Sequence, residues 1–374
     1  MAMGWNIREL AGPLMSCAVG VMAIATARAD VDPNSGIDFV RVGAVGNAPY
    51  TGGGLYVNNR GRVDYEYSIG KFEVTTAQWV EFMNAAFDRP ASDRIPFAFS
   101  PAQWAAQATS PNTPGAQRWV VPAGREMLPV GGLDWRTCAI FANWLHNDKA
   151  TNREAFLSGA YDVGTFGYVG TSSLFTDQIT RGPGARYWIP SLDEWMKAAH
   201  YDPNKQNSDG SVGGWWTYAN GSDTPFVYGP PGVRSSTGGF PGPDPNGPFS
   251  TANSGWDAPN FPGFSPFLIP LGSYDVTSPW GLYDVAGGIA EWTEGTFVVT
   301  GDPFPTERFL EGSGWASLAG GDVLRAVGGG APPSISYTQS GLRIASNVPS
   351  PGLGSLGLVL IGVGLGRRRR RNER

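Results

Sequence analysis

Cysteine and histidine are nearly missing from this chain, with 2 of each in 374 residues. One cysteine, Cys17, lies in an N-terminal stretch that reads as a removable leader, so the mature chain keeps only Cys138. A single thiol excludes an internal disulfide and any site built from a thiolate pair. Cys138 falls on the apolar side of a predicted helix and reads as a buried core residue rather than a reactive thiol. The two histidines, His146 and His200, lie at predicted helix C-termini, where nearby carbonyls and the helix dipole account for them better than a metal does. No Ser/His/Asp arrangement, phosphate loop or zinc spacing occurs, and there is no internal repeat, heptad array or long linker.

Charge is also scarce, at 16% of residues. The formal net charge of −5 includes +1 from residues 1–29 and +5 from residues 350–374, which leaves −11 on the stretch between. An acidic, charge-poor core excludes nucleic acid as a partner and suits cation binding. Long apolar runs are missing too. The C-terminal one, Gly352 to Gly366, has fifteen residues, short of the ~20 of an ordinary spanning helix.

Gly and Pro are plentiful, 53 and 31, and are densest from Gly221 to Pro266. With Trp, Tyr and Phe running through the same stretches, this describes a loop-rich α+β fold that buries a core without disulfides. Three helices are predicted. Thr75 to Phe87 places Trp79, Phe82, Met83 and Ala86 on one face; Asp134 to Asn147 opens with a capping Asp; Ser191 to His200 begins with a Ser-x-x-Glu capping box. The alternation in Val63–Ile69 predicts a strand, and Tyr187–Ile189 a second, short one. Asp193 and Glu194, adjacent acids in a first helical turn, read as capping residues. The cluster Trp215-Trp216-x-Tyr218 reads as core packing, with a sugar-stacking platform as the alternative.

The ends read as addresses. Met1 to Ala29 has an apolar run from Ala11 to Ala25 and closes on Ala27-Arg28-Ala29, a small-x-small cleavage site. The C-terminus joins Val348-Pro349-Ser350-Pro351 to the Gly/Leu/Val run and then Arg367 to Arg371. This layout is similar to PEP-CTERM sorting tails, which implies recognition by an exosortase-type enzyme and membrane anchorage through the tail. The expected division is 1–29 signal peptide, 30–346 domain and 347–374 sorting tail. The expected location is the bacterial cell envelope or the extracellular surface.

The densest chemical signal is Pro279-Trp280-Gly281-Leu282-Tyr283-Asp284-Val285-Ala286-Gly287-Gly288-Ile289-Ala290-Glu291-Trp292. Two carboxylates bracket a Gly-Gly pair that frees the backbone to turn and present carbonyl oxygens, as a hard cation such as calcium requires. The stretch resembles P-Y-G-L-Y-D-M-x-G-N-V-W-E-W, the signature of the formylglycine-generating (sulfatase-modifying factor) family. Other blocks follow in order. Tyr67 to Thr75 is similar to Y-x-I-G-K-Y-E-V-T, Tyr187 to Trp195 to Y-R-L-P-T-E-A-E-W, Leu324-Arg325 with Gly328–Gly330 to R-V-x-R-G-G-S, and Gly341 to Ala345 to G-F-R-V-A. The resemblance covers about residues 38 to 346 and implies a single C-type-lectin-like, loop-rich domain.

It also implies one calcium site, with Asp284 and Glu291 ligating through side chains and Gly287 and Ile289 through carbonyls. A second family site, near Asn253 and Pro262-Gly263, aligns poorly. The family's oxidative chemistry uses two cysteines that hold copper, placed between G-G-S and G-F-R. Here the interval read as Ala331 to Ser340 has no cysteine, so copper is not expected. The first Trp of W-E-W is Ala290 and the Asn of G-N is Gly288. The related iron-dependent sulfoxide synthases need a histidine set that this chain lacks. The expectation is therefore an exported, catalytically inactive module binding a glycan or surface-protein ligand. The alternative is a formylglycine-type oxidoreductase, or an accessory in sulfatase maturation.

Overall fold

Caps fix where the helices of this chain begin. The structure is a computed structural model that describes residues 31–99, 101, 106–108, 118–227, 229–232, 268–299, 301–314, 322–326 and 329–347. The leader, the C-terminal tail beyond 347 and the second calcium position near Asn253 lie outside the described residues. Strands β1 (Phe39–Val42) and β2 (Tyr67–Gly70) precede α1 (Thr76–Phe87). Thr75 closes a full capping box with Gln78, and Trp79, Phe82, Met83 and Ala86 are buried as the spacing predicts. The short hairpin β3 (Gln107–Ala108) and β4 (Trp119–Val120) leads to α2 (Trp135–His146). Asp134 caps α2 by accepting from the Thr137 amide, and every residue from Trp135 to Leu145 is buried, which makes α2 the central helix.

A one-turn helix α3 (Glu154–Leu157) and strand β5 (Tyr187–Trp188) follow, then α4 (Leu192–His200), whose capping box joins Ser191 and Glu194. The hairpin β6 (Tyr201–Gln206) and β7 (Val212–Trp215) comes next. The last part of the chain supplies β8 (Ala290–Phe297), β9 (Glu307–Glu311), β10 (Gly329–Ala331), β11 (Ser340–Gly341) and β12 (Ala345–Ser346).

Two four-stranded sheets frame the core. One runs β1-β2-β12-β5, all antiparallel, so the two ends of the domain meet in one sheet. The other runs β10-β9-β8-β11, with β11 parallel to β8. Reciprocal indole bonds tie α2 to the second sheet: Trp135 Nε1 donates to the Thr293 carbonyl at 3.0 Å and Trp292 Nε1 to the Leu133 carbonyl at 2.8 Å. The fold is mixed α and β, loop-rich and poor in helix. Among the described residues no helix is long and apolar enough to cross a membrane.

The predicted strand over Val63–Ile69 is shorter in the structure, pairing only from Tyr67 onward. Val63 is instead buried while its carbonyl accepts from the Gly46 amide, and Asn47 Oδ1 accepts from its own amide. The indoles of Trp215 and Trp216 are used internally. Trp215 Nε1 donates to the Ala48 carbonyl and its ring meets Tyr50 and Tyr201 edge-on; Trp216 Nε1 donates to Asp202 and carries Lys205 Nζ 3.9 Å from its ring centre. That cluster is packing, as the default reading held.

Candidate functional site

The turn from Tyr283 to Ala290 is built on backbone that few residues accept. Asp284 has φ +56°, and Gly287 and Gly288 have +87° and +72°. Asp284 keeps this conformation while its Oδ2 accepts from the Gly272 amide at 2.7 Å. Burial pushes its carboxyl up to about 6, against the Gly272 bond and Arg343, which favour the charged form. The Gly287 amide donates to Ser313 Oγ at 2.8 Å, which pins the turn to the segment after β9. Ile289 is buried.

Glu291 differs from its expected role as an open ligand. Its two oxygens accept from Arg343 Nε at 3.0 Å each, from Arg343 Nη2 at 2.6 Å and from Trp195 Nε1 at 2.7 Å. A carboxylate has about four lone-pair sites, and these contacts fill them. Glu291 is thus the counter-ion of a buried guanidinium. A third carboxylate, Glu73 at the end of the Tyr67–Thr75 block, joins the cluster fully buried, with neither oxygen in a well-formed hydrogen bond. Its carboxyl is pushed well up by burial and by Glu291, with Arg343 and the Ile289 amide opposing. Three acids therefore face one guanidinium. Glu73 and the second oxygen of Asp284 are thus the carboxylate oxygens of this cluster left for a hard cation, those of Glu291 being taken by Arg343 and Trp195. The sequence gives no local sign of Glu73's part, because it lies more than 200 residues from the turn.

Thiol and imidazole chemistry finds no geometry. Cys138 is fully buried in α2, and burial raises its thiol well above the ordinary range. His146 Nδ1 accepts from the Arg186 amide. His200 is buried with Nδ1 3.3 Å from the Trp216 carbonyl, and burial lowers it to about 4. It is therefore neutral at pH 7, and the helix-dipole role expected for it does not operate. Among the described residues no three of His, Cys, Asp and Glu are arranged to hold a metal ion by themselves. Asp193 is held by Arg60 at 2.9 Å. Glu194 takes bonds from Arg181, Tyr65 and Trp188, so these acids are structural.

Strand β9 changes one register. Arg308-Phe309-Leu310-Glu311-Gly312-Ser313-Gly314 can also be laid on the R-V-x-R-G-G-S pattern, with Arg308 and Gly312 coinciding and Glu311 where the pattern has its second Arg. This segment pairs with β8, whereas Leu324–Ala326 is only a short turn. Laid so, the interval before Gly341-Leu342-Arg343 runs through residues 315–340, against Ala331 to Ser340 when it is counted from Gly328–Gly330. The interval still contains no cysteine.

Beside this sheet lies a cleft of about 310 Å³. Trp195 and His200 of α4, Ala290 of β8, Glu311 of β9, and Tyr337 and Gln339 of the loop before β11 line it. Ala290 is where a Trp would fill this space. Among the described residues two carboxylates, Glu311 and Asp322, line the cleft, and no lysine or arginine does.

A family model described as sulfatase-modifying factor enzyme 1-like domain matches residues 57–348. A comparison with curated proteins gives no match. Among solved structures, CarF superposes with a TM-score of 0.46 and 20% identity over 84% of this chain and 99% of CarF. Variable protein 1 of Treponema denticola gives 0.42 and 17% over 82% and 94% of the two chains. PvdO from Pseudomonas aeruginosa gives 0.40 and 14% over 83% and 95%.

Proposed function

Because the chain belongs to the sulfatase-modifying factor enzyme 1-like domain family, we propose that it uses this fold to bind a ligand and not to oxidise a cysteine. The observation that carries the reading is the cleft lined by Ala290, in a chain whose one described thiol, Cys138, is buried out of reach of it. A copper(I) site of the family kind needs a pair of soft thiolates, and the mature chain cannot assemble one.

The ligand class is a glycan or a surface protein. The chain is exported and held at the envelope through its tail, with an exosortase-type enzyme as processing partner. Calcium at Asp284, with the carbonyls of Gly287 and Ile289, steadies the turn; Glu291, expected as a fourth ligand, is held by Arg343 and Trp195 instead. The surplus negative charge of Glu73, Asp284 and Glu291 over Arg343 supports a cation there.

Binding to arrayed glycans and envelope peptides, compared between the wild-type chain and Ala290→Trp, tests the reading. Filling the cleft removes binding while the melting transition stays cooperative. A ligand bound equally by both variants would place recognition elsewhere on the surface.

A further inference from the structure

Glu291 and Glu311 stand directly opposite one another on β8 and β9. Both are about 1% exposed, and like charges facing across a strand pair are unfavourable. Glu291 is answered by Arg343 and Trp195. Glu311 is answered by nothing of the kind: neither of its oxygens has a hydrogen-bond partner, although both are buried. Burial pushes its carboxyl well up, opposed by Arg60, whose Nε and Nη2 both donate to Asp193 at 2.9 Å, and reinforced by Glu291.

A buried carboxylate without a partner is destabilising, so its presence in a strand calls for a partner. Glu73, the other such acid among the described residues, has Arg343 and the Ile289 amide in its field. Glu311 lines the 310 Å³ cleft. Gln339 lines it too, and its Oε1 is a second buried acceptor without a donor. Asp322 adds acidity, His200 is neutral at pH 7 and Tyr337 is a phenol. The space left for a ligand therefore offers acceptor oxygens in acidic surroundings, bordered by the Trp195 indole and small apolar groups such as Ala290 and Val285.

We propose that the cleft takes a ligand by a primary ammonium or guanidinium group, which donates to Glu311 and Gln339 while its hydrocarbon or sugar body lies against Trp195 and Ala290. This rests on the cleft being the binding site and deepens that reading. The unpartnered oxygens call for N–H donors, which a quaternary ammonium lacks. The cleft is far larger than a bare metal ion, and its half-apolar lining suits an organic body. Charge-assisted bonds in a dry site are stronger than neutral ones, so the cationic head sets the preference.

Calorimetric titration of the full chain tests this with benzylamine, its neutral isostere benzyl alcohol, and benzoate. Glucosamine and Nα-acetyl-lysine amide distinguish a sugar-borne from a peptide-borne amine. The expected result is that benzylamine binds about tenfold or more tighter than benzyl alcohol, and that benzoate does not bind. Glu311→Gln should abolish this preference while keeping the weak binding of the alcohol. Equal binding of amine and alcohol by the wild-type chain overturns the inference and leaves the cleft as a site. Binding by none of the probes overturns the inference and counts against the cleft as well. Should Glu311→Gln fail to fold, the wild-type comparison decides alone.

Discussion

Glu291 and Arg343, 52 residues apart, grip each other inside the protein: three contacts of 2.6–3.0 Å join β8 to the segment after β11. Arg343 also donates to the carbonyls of Gly70 and Tyr283, so one guanidinium ties both sheets to the Asp284 turn. The partners are unequal. Without Glu291, Arg343 still has Glu73 in its field; without Arg343, three acids are left unanswered.

Arg343→Met should therefore cost about 3–5 kcal/mol, and Glu291→Gln clearly less. Urea denaturation at neutral pH measures both. Equal losses would mean that Glu73 does not belong to the cluster.

The Asp284 turn sets a pH dependence. Its carboxyl rises from 3.8 to about 6 on folding, chiefly through burial. A carboxyl raised in this way contributes stability that is fully present below 3.8 and is lost as pH rises through about 6. In chelator, the share of the melting-temperature decline over that window that belongs to this group should vanish in Asp284→Asn. Added calcium should raise the wild-type melting temperature near neutral pH and leave the Asn variant unmoved. An unchanged pH profile in Asp284→Asn, or an equal calcium response, would count against the site.

The thiol of Cys138 should be silent. Thiol reagents should modify it only as fast as the chain unfolds, and Cys138→Ala should cost about 1–2 kcal/mol without altering ligand binding. Rapid labelling of the native protein would contradict its burial.

The helices were legible because their signals are local. Thr75, Asp134 and Ser191 cap within three residues, and apolar spacing gives the buried face. Strand β8 was hidden by the same logic. Glu291 reads as a calcium ligand in the sequence and Glu294 draws no notice there, yet both are buried, because Arg343 answers one and Tyr161 and Arg181 the other. Such partners lie 52 to 133 residues away in sequence, where no pattern of spacing reaches. Asp284, Gly287 and Ile289 were singled out as calcium ligands through motif resemblance. Glu73 and Glu311 were not, since an acid becomes conspicuous only when burial and a missing partner are seen together.

The central claim is a family fold without the family's oxidation. The most direct measurement is mass spectrometry of a cysteine-containing sulfatase peptide incubated with the pure chain, copper(I) and oxygen. The account predicts that the cysteine stays unchanged. Appearance of the formylglycine aldehyde, at a rate proportional to the protein added, would contradict it.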